Sequence, residues 1–83
     1  MKLVYKSEAA KRLKKIGKSE KTKAKKKILN LLTDPLQGKL LEGKFKGLRS
    51  VKAWPLRIIY TFNSDTQTIK IETIDYRGDI YKN

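Results

Sequence analysis

Residues 52–62 read KAWPLRIIYTF, the most apolar stretch in a chain crowded with lysine, and Arg57 sits near its centre. In a β-strand, alternate side chains point to opposite faces of the sheet. A strand over 56–62 therefore has one face made of Leu56, Ile58, Tyr60 and Phe62, predicted to pack against helices. Arg57, Ile59 and Thr61 take the other face, where the guanidinium need not be buried. Residues 48–53 and 68–74 read as neighbouring strands, with turn residues at 63–67 between the last two. Strict alternation over 68–74 puts Ile69, Ile71 and Thr73 on one face and Lys70, Glu72 and Ile74 on the other. Gly78 breaks the chain, and residues 79–82 are expected to form a short last strand.

Toward the N-terminus, KLVY at 2–5 reads as a strand. Ser7 is placed to cap a helix over 8–16 that ends at Gly17. Its apolar stripe is Ala9, Leu13 and Ile16. Ser19 offers a second cap, with Glu20 favourable in the first turn of a helix running to Leu32. There the stripe is Ala24, Ile28, Leu31 and Leu32, and Lys23, Lys25, Lys26 and Lys27 face outward. Pro35 disfavours helix at Asp34. The short connection predicts an antiparallel helical hairpin. Residues 36–46, containing LLEGKFK, read as a loop. The fold class that follows is α+β: an N-terminal strand, then a two-helix hairpin packed on a twisted, mainly antiparallel sheet of about four to five strands, all in a single domain over 1–83.

The 83 residues carry 21 Lys and Arg against 8 Asp and Glu, a net charge of +13. Residues 1–30 hold 12 of the basic and 2 of the acidic side chains, so +10 of the excess lies there. Such a field draws polyanions, and nucleic acid is the first candidate because each neutralised phosphate releases counterions. An anionic membrane surface, an acidic protein or plain solubility are alternative reasons for it. There is no cysteine, so neither a disulfide nor a thiolate ligand is available. No apolar run approaches the roughly 18–20 residues of a membrane span, and the N-terminal apolar run is too short for a signal peptide. The expectation is a soluble, cytoplasmic chain with no membrane partner.

Histidine is absent as well. That removes the usual neutral-pH acid and base, and with it paired-histidine ribonuclease chemistry and Ser-His-Asp or Cys-His arrangements. GKFKG lacks the strand-to-helix setting of a phosphate loop. Glu72, Asp75 and Asp79 match no metal-binding spacing, so no metal or cofactor is expected. What remains is a set of basic and phenolic groups in the C-terminal half: Arg49, Lys52, Arg57, Arg77 and Tyr81.

LLEG at 40–43, GLRSVKAWPLRIIY at 47–60 and IDYRGDIY at 74–81, in that order and spacing, resemble the RelE/ParE superfamily of toxin–antitoxin toxins. The N-terminal strand and the helical hairpin fit as well, so the resemblance spans nearly the whole chain. The RelE branch cleaves messenger RNA in the ribosomal decoding site without a metal. Carried over by position, Lys52, Arg57, Arg77 and Tyr81 are the implied catalytic set, with Arg49 a less certainly aligned neighbour that contacts RNA. Among the departures from the family pattern are two substitutions. Trp54-Pro55-Leu56 replaces the usual Gly-Asp-Tyr, and Tyr76 stands where a histidine is frequent.

Transesterification by the RNA's own 2′-hydroxyl needs a base and cations placed where negative charge grows. Arg57 and Arg77 suit the second role, since arginine stays protonated and grips two phosphate oxygens. Tyr81 suits the first, because nearby cations lower a phenol from its ordinary value of about 10; Lys52 is the alternative. Lys14, Lys15, Lys23, Lys26 and Lys27 on the helices are expected to meet ribosomal RNA phosphates. The resemblance also implies a RelB-like antitoxin, acidic and partly disordered when free, besides the ribosome and mRNA. Two other functions stay open: a ParE-type inhibitor of DNA gyrase, and a non-enzymatic basic nucleic-acid binder. Each residue has a structural alternative: Arg57 paired with Glu72, Arg77 with Asp75 or Asp79, and Trp54 packed at the hairpin tip.

Overall fold

Arg57 lies on a strand that spans Leu56–Asn63 and is buried from Leu56 through Tyr60. In chain order, the computed structural model, which describes residues 1–76, has β1 (Lys2–Tyr5), α1 (Ser7–Lys15), α2 (Lys18–Thr33) and β2 (Lys39–Leu40). A turn of 3₁₀ helix at Gly43–Phe45 follows, then β3 (Arg49–Ala53), β4 (Leu56–Asn63) and β5 (Thr68–Tyr76). The sheet order is β1-β5-β4-β3-β2. β1 runs parallel to β5 and every other pair is antiparallel. This is the α+β class and strand number expected. The last strand proposed over 79–82 lies outside the described residues.

Both helices lie against the sheet, α1 over β5 and β1, α2 over β3 and β4. Ala9, Ala24, Ile28 and Leu31 meet Val51, Leu56, Ile58, Tyr60, Ile69, Ile71 and Ile74 in one core, flanked by Leu13, Ile16, Leu32 and Phe62. Leu31, Ile58, Ile69, Ile71 and Ile74 are fully buried. Burial of each such side chain is worth about 1.5–3 kcal/mol.

Three local expectations are corrected. Ser7 and Ser19 do not cap: the N-cap positions are Lys6 and Gly17, neither making a side-chain capping bond, and both serines lie inside their helices. Gly17 is extended, with φ of −61°, rather than left-handed. The chain leaves α1 through an extended Ile16 and re-enters helix at once, so no left-handed C-cap forms. The supposed loop over 36–46 contains the short edge strand β2 and the 3₁₀ turn, made possible by left-handed Gly43 and Gly47 at φ of 68° and 88°.

A further correction concerns Ile74. Ile59 faces Thr73 across the ladder while the next residue, Tyr60, faces Ile71, so β5 carries one extra residue, a β-bulge at Glu72. The bulge reverses the alternation, and Ile74 joins Ile69 and Ile71 in the core instead of standing opposite them. At the other end of β4, the turn into β5 is held by the Asn63 side-chain oxygen, which accepts from the amides of Asp65 (2.9 Å) and Thr66 (3.2 Å). The β3–β4 turn contains a cis Trp54–Pro55 peptide.

Candidate functional site

Because Val51 and Ile58 point into the core, Ser50 and Lys52 of β3 and Arg57 and Ile59 of β4 share the face away from the helices. Lys52 stands directly opposite Arg57, and Ser50 directly opposite Ile59. Lys39 is level with Ser50 and Lys70 with Thr61, so two further cations lie on this face.

Strand alternation left Arg57 free to be exposed, yet it is only 8% exposed. The reason is its place on β4, between β3 and β5: Lys52 flanks it on one side and Asp75 on the other. Its Nη1 donates to Ser50 Oγ at 3.0 Å. A long flexible side chain is thereby fixed, and the hydroxyl doing so sits two residues before Lys52. Ser50 was missed from the sequence, although the same period of two that put Arg57 and Ile59 together would have put Ser50 beside Lys52.

The carboxylates near this cluster are engaged on its margins. Glu72 pairs with Lys6 at 3.2 Å, not with Arg57. The carboxylate of Asp75 accepts from Arg12 Nη1 of α1. Lys52 and Arg57 thus stand face to face across the strand pair, and a guanidinium binds an anion of phosphate geometry through two bonds. Among the described residues no group of carboxylates is arranged to hold a metal ion.

Arg49 does not join this cluster. Three residues from Lys52, it points to the opposite face, level with Tyr60. Its Nη1 donates to the carbonyl of Gly38 at 2.9 Å and reaches that of Leu36 at 3.4 Å. Tyr60 holds the same segment: its hydroxyl accepts from the Gly38 amide at 2.9 Å and donates to the Pro35 carbonyl at 2.7 Å. Burial pushes the Tyr60 phenol above its ordinary value, against a smaller opposite pull from the Gly38 amide and Arg49. Gly38 is obligatory here, since a Cβ would lie 2.6 Å from the Tyr60 hydroxyl oxygen.

Lys14, Lys15, Lys23 and Lys26 are exposed on the helices and Lys27 is half-buried. Trp54 does not pack at the hairpin tip; it is 67% exposed. Arg77 and Tyr81, and with them Asp79, lie outside the described residues. No described helix is long and apolar enough to cross a membrane.

A helical pair on one face of a five-stranded sheet is a fold shared with solved toxins of the RelE and ParE kind. The sequence matches the family described as ParE toxin of type II toxin–antitoxin system over residues 3–81, and the chain belongs to that family. Nothing matches among curated protein sequences. Among solved structures, the RelBE2 toxin–antitoxin complex from Mycobacterium tuberculosis aligns with a TM-score of 0.84 at 22% identity, covering 92% of this chain and 96% of that one. The YoeB/ParE toxin from Agrobacterium tumefaciens gives 0.81 at 19% identity, covering 93% and 99%. The archaeal RelE–RelB complex from Pyrococcus horikoshii gives 0.76 at 19%, covering 93% and 94%. The chain is thus a type II toxin of the RelE/ParE superfamily in sequence and fold.

Proposed function

We propose that this toxin is a metal-independent endoribonuclease that cuts mRNA in the ribosomal A site and so stops translation. The observation that carries the proposal is Arg57: a nearly buried guanidinium, oriented by Ser50 Oγ and set opposite Lys52. A guanidinium and an ammonium at directly opposite strand positions make a clamp suited to a phosphate. Arg77, carried over from the family pattern, is assigned to the same clamp.

In the proposed reaction the 2′-oxygen of the RNA forms a bond to the adjacent phosphorus as the bond from phosphorus to the 5′-oxygen breaks. The products are a 2′,3′-cyclic phosphate and a 5′-hydroxyl. Tyr81 takes the 2′-hydroxyl proton, Lys52 supplies one to the leaving oxygen, and Arg57 and Arg77 neutralise the charge that grows on the phosphoryl oxygens. Preorganised donors of this kind are worth about 2.7–4 kcal/mol each at the transition state. The lysines of α1 and α2 hold the toxin on ribosomal RNA. A RelB-like antitoxin, acidic where it covers the cationic face, completes the system and restrains the toxin until it is removed.

A second function is favoured by one observation, that the matching family is named for ParE: inhibition of DNA gyrase without RNA chemistry. Mapping mRNA 5′ ends after brief expression of wild type and Arg57→Ala separates the two. Codon-phased cuts that vanish in the variant are expected. Intact mRNA with trapped gyrase–DNA complexes would overturn the nuclease proposal in favour of the second.

A further inference from the structure

We infer that the groove between α2 and the β3–β4 turn binds one unpaired nucleotide of RNA, its base stacked on Trp54 and its flanking phosphates on Lys23, Lys26 and Lys27. The inference rests on RNA being this toxin's partner. The groove encloses about 400 Å³ and is lined by Lys23, Lys26, Lys27, Asn30, Ala53 and Trp54. No acidic side chain lines it.

Residues 23, 26, 27 and 30 follow the i, i+3, i+4, i+7 spacing that makes one continuous row on a helix. In α2 the core row is made by Ala24, Ile28 and Leu31, so this second row is free to be cationic. Beside it the largest aromatic side chain of the protein stands 67% exposed. An exposed indole next to three ammonium groups matches the two demands of single-stranded nucleic acid: a flat π surface for a base and cations for its backbone. The Asn30 amide can both donate to and accept from a base edge.

An amphipathic peptide is a poorer occupant. It buries a row of apolar side chains in an apolar groove, and here, besides the indole and the Ala53 methyl, the apolar surface is the stems of three charged lysines. The position also connects with the cationic face. Lys52 precedes Trp54 by two residues, about 7 Å along an extended chain, so a strand leaving the groove around the turn arrives at Lys52 and Arg57.

Trp54 is the only tryptophan in the chain, so its fluorescence reports on this groove alone. The probe is a 2′-O-methyl oligonucleotide of about eight residues, which cannot be cleaved by its own hydroxyl, compared with an oligoglutamate peptide of equal charge. The oligonucleotide is expected to quench the fluorescence saturably while the peptide does not. Trp54→Ala weakens oligonucleotide affinity about tenfold by anisotropy, and Trp54→Phe retains most of it. The combined change of Lys23, Lys26 and Lys27 to Gln lowers the slope of log K against log salt by about 2, three phosphates at about 0.7 each. Oligonucleotide binding without quenching, or with full affinity in Trp54→Ala, would overturn the inference. Quenching by the peptide alone would replace it with a peptide site. Cleavage is scored separately: quenching without mRNA cuts would sink the nuclease proposal and leave the groove standing, and cuts without quenching would do the reverse.

Discussion

If Lys52 is kept for phosphate rather than for the fold, removing its charge should strengthen the protein while weakening its action. Lys52 and Arg57 are direct cross-strand partners, which puts their Cβ atoms about 4.5–5.5 Å apart. Charge centres about 6 Å apart in a dielectric of 40–80 repel by about 0.7–1.4 kcal/mol before screening. Lys52 is exposed, so physiological salt, with a Debye length of about 8 Å, reduces this to about 0.3–0.7 kcal/mol. Lys52→Gln is therefore expected to raise the free energy of unfolding by about 0.7–1 kcal/mol at low salt and by less at physiological salt. Lys52→Glu, which offers Arg57 a carboxylate, should gain more. Urea unfolding at low and physiological salt measures the first effect, and mRNA end-mapping the second. Cleavage should fall at least tenfold in Lys52→Gln and further in Lys52→Glu, whose carboxylate occupies the guanidinium that a phosphate needs. A Lys52→Gln protein less stable than wild type at low salt, or one that cleaves as wild type does, would refute the reasoning.

Gly38→Ala should cost about 2–4 kcal/mol in urea unfolding. Its Cβ would meet the rigid, buried Tyr60 ring and break two hydrogen bonds; a change within 0.5 kcal/mol would show that the 35–38 segment is not held as described. Tyr60, raised by burial, gives a signed pH dependence. Its contribution is complete below the unfolded phenol value of about 10. It is lost as pH rises through the higher folded value, because the unfolded chain gives up its proton first. Tyr60→Phe should cost about 1–3 kcal/mol at neutral pH and flatten the alkaline fall, leaving the part due to Tyr5, whose phenol burial also raises. Parallel alkaline losses in wild type and Tyr60→Phe would contradict this.

The sequence determined the core rows and the order of all the described helices and strands but the short edge strand β2, because these depend only on chain-local periods. Apolar residues at helical spacing marked Ala9, Ala24, Ile28 and Leu31, and alternation marked Leu56, Ile58 and Tyr60, all of which lie in the core. It could not place Ile74, since a bulge is a mismatch between two strands and leaves no mark on either alone. Nor could it bury Arg57, whose enclosure depends on β4 being flanked by β3 and β5. Capping failed for a related reason: helices seated on a sheet take their ends from the path of the chain, whatever serines lie nearby.

For the site, the order of residues sufficed to nominate Lys52 and Arg57, but only the pairing register made them opposite partners and sent Arg49 to the other face. Only the packing of α2 beside the β3–β4 turn brought a row of lysines to an exposed Trp54. Periodicity tells which side of its own element a residue takes. Which elements become neighbours, and so which charges must share a surface, is a property of the folded chain.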